Sequence, residues 1–247
     1  MRSEEFIALL SSAAADEEKF DKARKDLPLG VDTVDNVVYA HKNTKPYSTR
    51  FTCVTGGGKS AFIKRLLITV SCLYDRADAC FLILSPNVEY GELLRLKSMD
   101  VTVPYIRTKS DLEFALETVR QLLREREYGK GYPRLFLVMD GIESLDGCNR
   151  NEDLEEYRDV IDLLARRDNV ELIAGVELTK SIFSGYPGAF LGIGNCLVTT
   201  RETGKADVTY VHDDSSLSLP IPIRYPDEPT LMESVIFLNA LAVDREE

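Results

Sequence analysis

The segment that most constrains this chain is Val54-Thr55-Gly56-Gly57-Gly58-Lys59-Ser60. It follows the apolar run Phe51-Thr52-Cys53-Val54 and precedes an amphipathic run from Ala61 to Ile68, so it links a strand to a helix. Three glycines free the backbone so that successive N–H groups can turn inward on phosphate oxygens. The helix that follows adds the positive end of its dipole. In this context Lys59 is placed to reach the β- and γ-phosphates of a nucleotide and the Ser60 hydroxyl to ligate magnesium. Residues Thr55, Gly56, Gly57, Gly58, Lys59 and Ser60 are therefore the candidate ATP-binding set. The pattern G-x-x-x-x-G-K-[ST] expects a first glycine at position 53, where this chain has Cys53. A chance glycine-rich turn ending in Lys-Ser is the competing explanation.

The order of elements around the loop alternates. Ala79–Leu84 and Leu135–Asp140 are continuous apolar runs, the signature of strands buried on both faces. A helix is expected over 59–74, a short one over 89–97 and others over 110–127 and 152–166. Ser110 with Glu113 suggests a capping box for the third of these. Val101–Ile106 reads as a weak strand, demoted towards an edge by Pro104, and Val170–Val176 as a further strand. Cys196–Thr200, Val208–Val211 and Leu217–Arg224 are short strands suited to an antiparallel edge. Alternating strands and helices specify an α/β fold, a mostly parallel central sheet with helices on both faces. A helix over 3–25, broken by Leu27-Pro28-Leu29-Gly30, and one over Asp227–Leu241 complete a single unit over 1–247. It divides into an N-terminal helix (1–25), a core (26–225) and a C-terminal helix (226–247).

The chain has 247 residues, 44% hydrophobic and 29% charged, ordinary globular proportions. It has no run of about 18 apolar residues of the kind that spans a bilayer, and Glu4, Glu5 and Asp16 rule the N-terminus out as a signal peptide. A cytoplasmic protein, or a water-exposed piece of a membrane-associated one, is the expectation. Five scattered cysteines and only two histidines argue against a disulfide framework, a zinc site or a His-based triad. A net charge of −11 opposes broad nucleic-acid binding.

Leu135–Asp140 resembles the acidic strand that accompanies phosphate loops. It delivers a carboxylate to the C-terminal edge of the sheet, where nucleotides lie in open α/β folds. Asp140 is the second magnesium candidate beside Ser60; a simple loop cap is its alternative role. A general base commonly follows such an aspartate, but here the position is Gly141. Glu143 lies two residues on. Without a base beside the γ-phosphate, binding can survive while hydrolysis falls by about 10²–10⁴-fold.

Together these motifs resemble the FtsK/SpoIIIE family of ring-forming ATPases, which includes DNA translocases and the EssC/EccC ATPases of type VII secretion. The resemblance runs over about 26–225. It rests on Asp26–Asp32, the Val54–Ser60 loop, Phe81–Asn87 with its Ser85-Pro86-Asn87 turn, Pro133–Asp140, and the closing segment Gly204–Pro222. It implies a RecA-like P-loop NTPase, ATP with Mg²⁺ as cofactors, and assembly as a homo-oligomeric ring or a tandem array of ATPase domains. An arginine from a neighbour would complete the site; Arg166, Arg167 and Arg201 are candidates by placement, with ordinary surface charge the alternative. Where the family carries a sensor glutamine, this chain resembles it at Glu177, a carboxylate that cannot donate to a phosphate and could instead be a displaced base. Lys59, Glu143 and Glu177 are thus the catalytic candidates.

Cys53, Gly141 and Glu177 all depart from the family pattern at catalysis. The resemblance therefore implies an ATP-binding module with weak or absent hydrolysis by itself, closest to the type VII secretion domains, with a secretion substrate protein as partner. An active DNA translocase is the alternative; its basic candidates, Lys64-Arg65 and Arg120, Arg124 and Arg126, are interspersed with acids. A non-enzymatic interaction domain with a relic loop, binding through the apolar Ile182–Leu191 stretch, is the third reading. Nothing matches the lid or acceptor pocket of a nucleotide kinase.

Overall fold

A computed structural model describes residues 22–24, 26–40, 48–53, 58–128, 131–145, 169–177, 196–202, 204–210 and 218–225. The expected helices over 152–166 and Asp227–Leu241, most of the helix over 3–25, the Ile182–Leu191 stretch, Arg166 and Arg167 lie outside these residues.

Among the described residues ten strands form one sheet. In chain order they are β1 (Pro28–Val31), β2 (Val37–Tyr39), β3 (Ser48–Cys53), β4 (Ala79–Leu84), β5 (Asp100–Thr102), β6 (Arg134–Asp140), β7 (Val170–Glu177), β8 (Cys196–Glu202), β9 (Lys205–Tyr210) and β10 (Ile221–Arg224). Their spatial order is β2-β1-β10-β9-β8-β3-β7-β6-β4-β5. The six strands from β8 to β5 pair parallel, and the remaining pairings are antiparallel. The antiparallel wing is broader than the short C-terminal edge expected from the sequence, because the β1–β2 hairpin joins it through Val31 opposite Arg224. Leu27-Pro28-Leu29-Gly30 does end the preceding helical turn, with Leu27 at φ 55. The chain then enters β1 directly, so the proline opens a strand, a place where its missing N–H is tolerated.

Two of the described helices take opposite faces of the parallel strands. Helix α1 (Lys59–Leu73) packs Phe62, Ile63, Leu66, Leu67 and Val70 into a cluster with Phe81, Ile83, Phe136, Val138 and Ile173. Helix α2 (Lys109–Tyr128) brings Leu112, Leu116, Val119 and Leu123 to the other face, against Leu135, Leu137, Met139 and Leu172. Strand β6 is buried on both sides, which is why it reads as one apolar run. The two-residue period of a strand sends Phe136 and Val138 to the α1 face, and Asp140 follows them there.

Local departures from expectation have local causes. The segment expected as a helix over 89–97 is a 3₁₀ helix, Val88–Arg95. Strand β5 stops at Thr102, two residues before Pro104. The α2 cap is built from Thr108 and Asp111 instead of Ser110 and Glu113. Asp111 accepts from the backbone N–H groups of Arg107 at 3.0 Å and Thr108 at 2.9 Å, and Thr108 Oγ1 accepts from Asp111 N–H at 3.2 Å. At the N-terminal edge of the parallel strands, the buried Glu171 accepts from Arg134 at 2.9 Å. Arg134 also donates to the carbonyl of Arg24 at 2.8 Å, tying the first helical turn to the sheet.

Candidate functional site

The C-terminal ends of β4, β6, β7 and β3 lie side by side. Leu84 pairs with Met139, Asp140 with Gly175, and Glu177 with Cys53. Helix α1 starts at this edge. Gly58 precedes it in a left-handed conformation (φ 84), which a side chain would strain, and its carbonyl accepts the first helical bond from Phe62 N–H at 2.9 Å. Lys59 and Ser60 therefore open the first turn directly over the end of β6.

Asp140 is the centre of what meets there. It is fully buried, and a buried carboxylate persists only with charge and hydrogen-bond partners. Lys59 Nζ forms an ion pair and hydrogen bond with Asp140 Oδ1. The Ser60 hydroxyl donates to Asp140 Oδ2 at 2.7 Å, and the Tyr90 hydroxyl donates to the same oxygen at 2.8 Å. Tyr90 comes from the 3₁₀ helix after β4 and is itself fully buried. Burial first, and the adjacent Asp140 charge second, push its phenol well above the ordinary tyrosine range, so it stays a donor.

On the β7 side there is no room for a side chain beside Asp140. A Cβ built on Gly175 would fall 2.9 Å from Asp140 Cγ and 2.9 Å from Ile63 Cδ1, and nearer still to Asp140 Oδ1. The glycine in β7 is thus a close-approach residue. An isolated glycine within an apolar strand is the sequence signal for this, and only the strand order identifies what approaches. Tyr90 left no comparable signal, being one tyrosine among eleven.

The residue after Asp140 has its own geometry. Gly141 adopts φ 71 and ends β6, and Ile142–Ser144 form a single 3₁₀ turn. A Cβ at 141 would meet the Asn87 amide nitrogen at 3.2 Å. The backbone of Glu143 lies in that turn, and the backbone of Glu177 ends β7 next to β3; their side chains lie outside the described residues, as do Thr55, Gly56 and Gly57. Arg201 falls on β8. The structure therefore brings Lys59, Ser60 and Asp140 together and positions the backbones of Glu143 and Glu177 at the same edge.

The donor set fits a phosphate and a hard divalent cation. By donating its proton to Asp140, Ser60 keeps oxygen lone pairs for a metal, and hydroxyl and carboxylate oxygens suit magnesium. Lys59 is a positive charge of the kind that could pair with a phosphate. Among the described residues no helix is long and apolar enough to cross a membrane.

No family model and no curated protein matches the sequence. Solved structures do share the fold. The cytoplasmic domain of the type VII secretion ATPase EccC from Thermomonospora curvata aligns with a TM-score of 0.58 at 16% identity, over 83% of this chain and 26% of that one. ATPases 2 and 3 of EccC from the same organism, in complex with a signal sequence peptide, align with a TM-score of 0.58 at 14% identity, over 83% of this chain and 41% of that one. The pCW3 conjugation coupling protein TcpA, in its monomer form with ATPγS, gives a TM-score of 0.56 at 13% identity, over 94% of this chain and 73% of that one. The chain thus spans less than half of either EccC chain. It has the RecA-like P-loop ATPase fold that these secretion and conjugation proteins share.

Proposed function

We propose that this chain is an ATP-binding module of an FtsK/SpoIIIE-type translocation machine, with weak or absent hydrolysis by itself. The observation that carries the proposal is the convergence of Lys59 and Ser60 on Asp140 at the C-terminal edge of the sheet. A phosphate loop lysine, a hydroxyl and a strand-end carboxylate are the minimum set for nucleotide and magnesium. When bound, magnesium supplies charge neutralisation at the phosphates; Ser60 and Asp140 would hold it and Lys59 would pair with phosphate oxygen.

Weak turnover follows from position 141. A glycine at φ 71 provides no carboxylate to take a proton from water. Glu143 and Glu177 are the remaining candidates for that task. The likeness to EccC supports a type VII secretion-like role, acting in the cytoplasm as part of a tandem array or ring, with a secretion substrate protein as partner. The net charge of −11 favours a protein substrate over DNA.

The test is ATP binding by calorimetry with magnesium, run beside phosphate release on the same sample. Binding without turnover is expected. Absence of binding would remove the proposal. Turnover stimulated by DNA would replace it with an active DNA motor.

A further inference from the structure

We propose that Asn87 is the residue that tells a nucleoside triphosphate from a diphosphate at this site, its side-chain amide donating to the terminal phosphate. The inference rests on the nucleotide reading above and deepens it.

Asn87 occupies the N-cap of the 3₁₀ helix Val88–Arg95, yet its side chain makes no capping hydrogen bond. Asparagine is favoured at such positions because its side-chain oxygen accepts from N–H groups of the first turn. Here that ordinary reason is missing. The amide lies instead against the end of β6: its nitrogen is 3.2 Å from where a Cβ on Gly141 would stand. The space that a side chain at 141 would enter is therefore held by the Asn87 amide. Asn87 is exposed, and among the described residues no group hydrogen-bonds its side chain. An amide nitrogen carries two N–H donors, so both remain available at the C-terminal edge of the sheet, one residue beyond Asp140.

The backbone that carries the amide is held in place. Asn87 N–H donates to Oγ of the buried Ser85 at 3.1 Å, and Pro86 restricts the turn between them. Tyr90, three residues on, donates to Asp140 at 2.8 Å. The turn is thus tied to the same carboxylate that Lys59 and Ser60 hold.

Strand order gives the amide its phosphate. The phosphate loop leaves β3, and Asn87 stands three strands across, at the end of β4. Lys59 and Ser60 meet Asp140 at the end of β6, between the two. A phosphate chain running from the loop towards Asp140 presents its last phosphate to the Asn87 side. On the opposite flank of β6, Glu177 ends β7 and, ionised, has no donor. Asn87 offers a neutral donor that meets a phosphate oxygen without like-charge repulsion.

The experiment measures ADP and ATPγS affinity by calorimetry with magnesium, for the wild type and Asn87→Ala. The variant should lose about tenfold in its preference for ATPγS over ADP, the worth of one hydrogen bond to a charged group. An unchanged preference, whether both affinities fall equally or neither moves, would overturn the inference and leave the nucleotide reading in place. Failure of the wild type to bind either nucleotide would remove that reading, and the inference with it. Should circular dichroism show Asn87→Ala unfolded, Asn87→Asp takes its place. It keeps the shape, has no donor when ionised and adds a like charge, so the preference should fall at least as far. An unchanged preference in that variant would overturn the inference too.

Discussion

Ser60 donates to Asp140 across 2.7 Å, although 80 residues of chain separate them. The bond joins the first turn of α1 to the last residue of β6, and Lys59 reinforces it from the preceding position. Ion pair and hydrogen bond together partner a carboxylate in a place fully shielded from water.

Lys59→Ala should therefore do two separable things. Nucleotide affinity should disappear, since the phosphate loses its cation. Stability should also fall by about 3 kcal/mol, the penalty for leaving a buried charge uncompensated. Adding Asp140→Asn removes the orphaned charge. The double variant should recover much of the stability and none of the affinity. Urea titration and calorimetry on the three variants check this, and equal stability of wild type and Lys59→Ala would contradict it.

Gly175→Ala tests the close approach in β7. The new methyl meets both Asp140 and Ile63, and overpacking of this kind costs about 1–3 kcal/mol. Displacement of Asp140 should also weaken magnesium-dependent nucleotide binding. Gly91→Ala is the control, because a Cβ there meets nothing within 4 Å. Its melting temperature and affinity should stay near the wild-type values.

Supplying the missing carboxylate at 141 should fail. Gly141→Glu would force a side chain into a left-handed conformation, costing roughly 1–2 kcal/mol, against the Asn87 amide. We expect a lower melting temperature and no gain in phosphate release. A tenfold gain in phosphate release would show that the backbone at 141 can rearrange to present a base.

Acid titration tests the Thr108–Asp111 cap. Backbone donation from Arg107, then the Thr108 hydroxyl and the Thr108 backbone N–H, hold the Asp111 carboxyl below its ordinary value of 3.8. The folded state thus favours the ionised form. Its contribution is fully present above pH 3.8 and drains away as the pH falls through the lowered native value. Asp111→Asn should be less stable than the wild type at neutral pH, and the two should converge on acidification. A stability difference that stays constant into acid would assign the loss to something other than the charge.

The sequence by itself determined the features whose chemistry is local. Three glycines before Lys59-Ser60 announce a backbone that must turn tightly. The apolar run ending in Asp140 announces a strand covered on both faces, with an acid at its end. The location and type of α1, β4, β6 and β7 followed from the same patterns. Capping was misassigned because Ser110 and Thr108 are both competent caps, and the choice between them depends on where the chain enters the helix. Only the tertiary structure decided that Tyr90 and Gly175 belong to the site. Their roles arise from lateral strand order, β7 and β4 flanking β6. That order is set by which apolar faces pack on α1 and α2, and pairing between strands carries no mark in the spacing of residues along one of them. The β1–β2 hairpin joined the antiparallel wing for the same reason. Hydrogen bonds between strand edges depend on what the rest of the chain leaves exposed, which no single segment encodes.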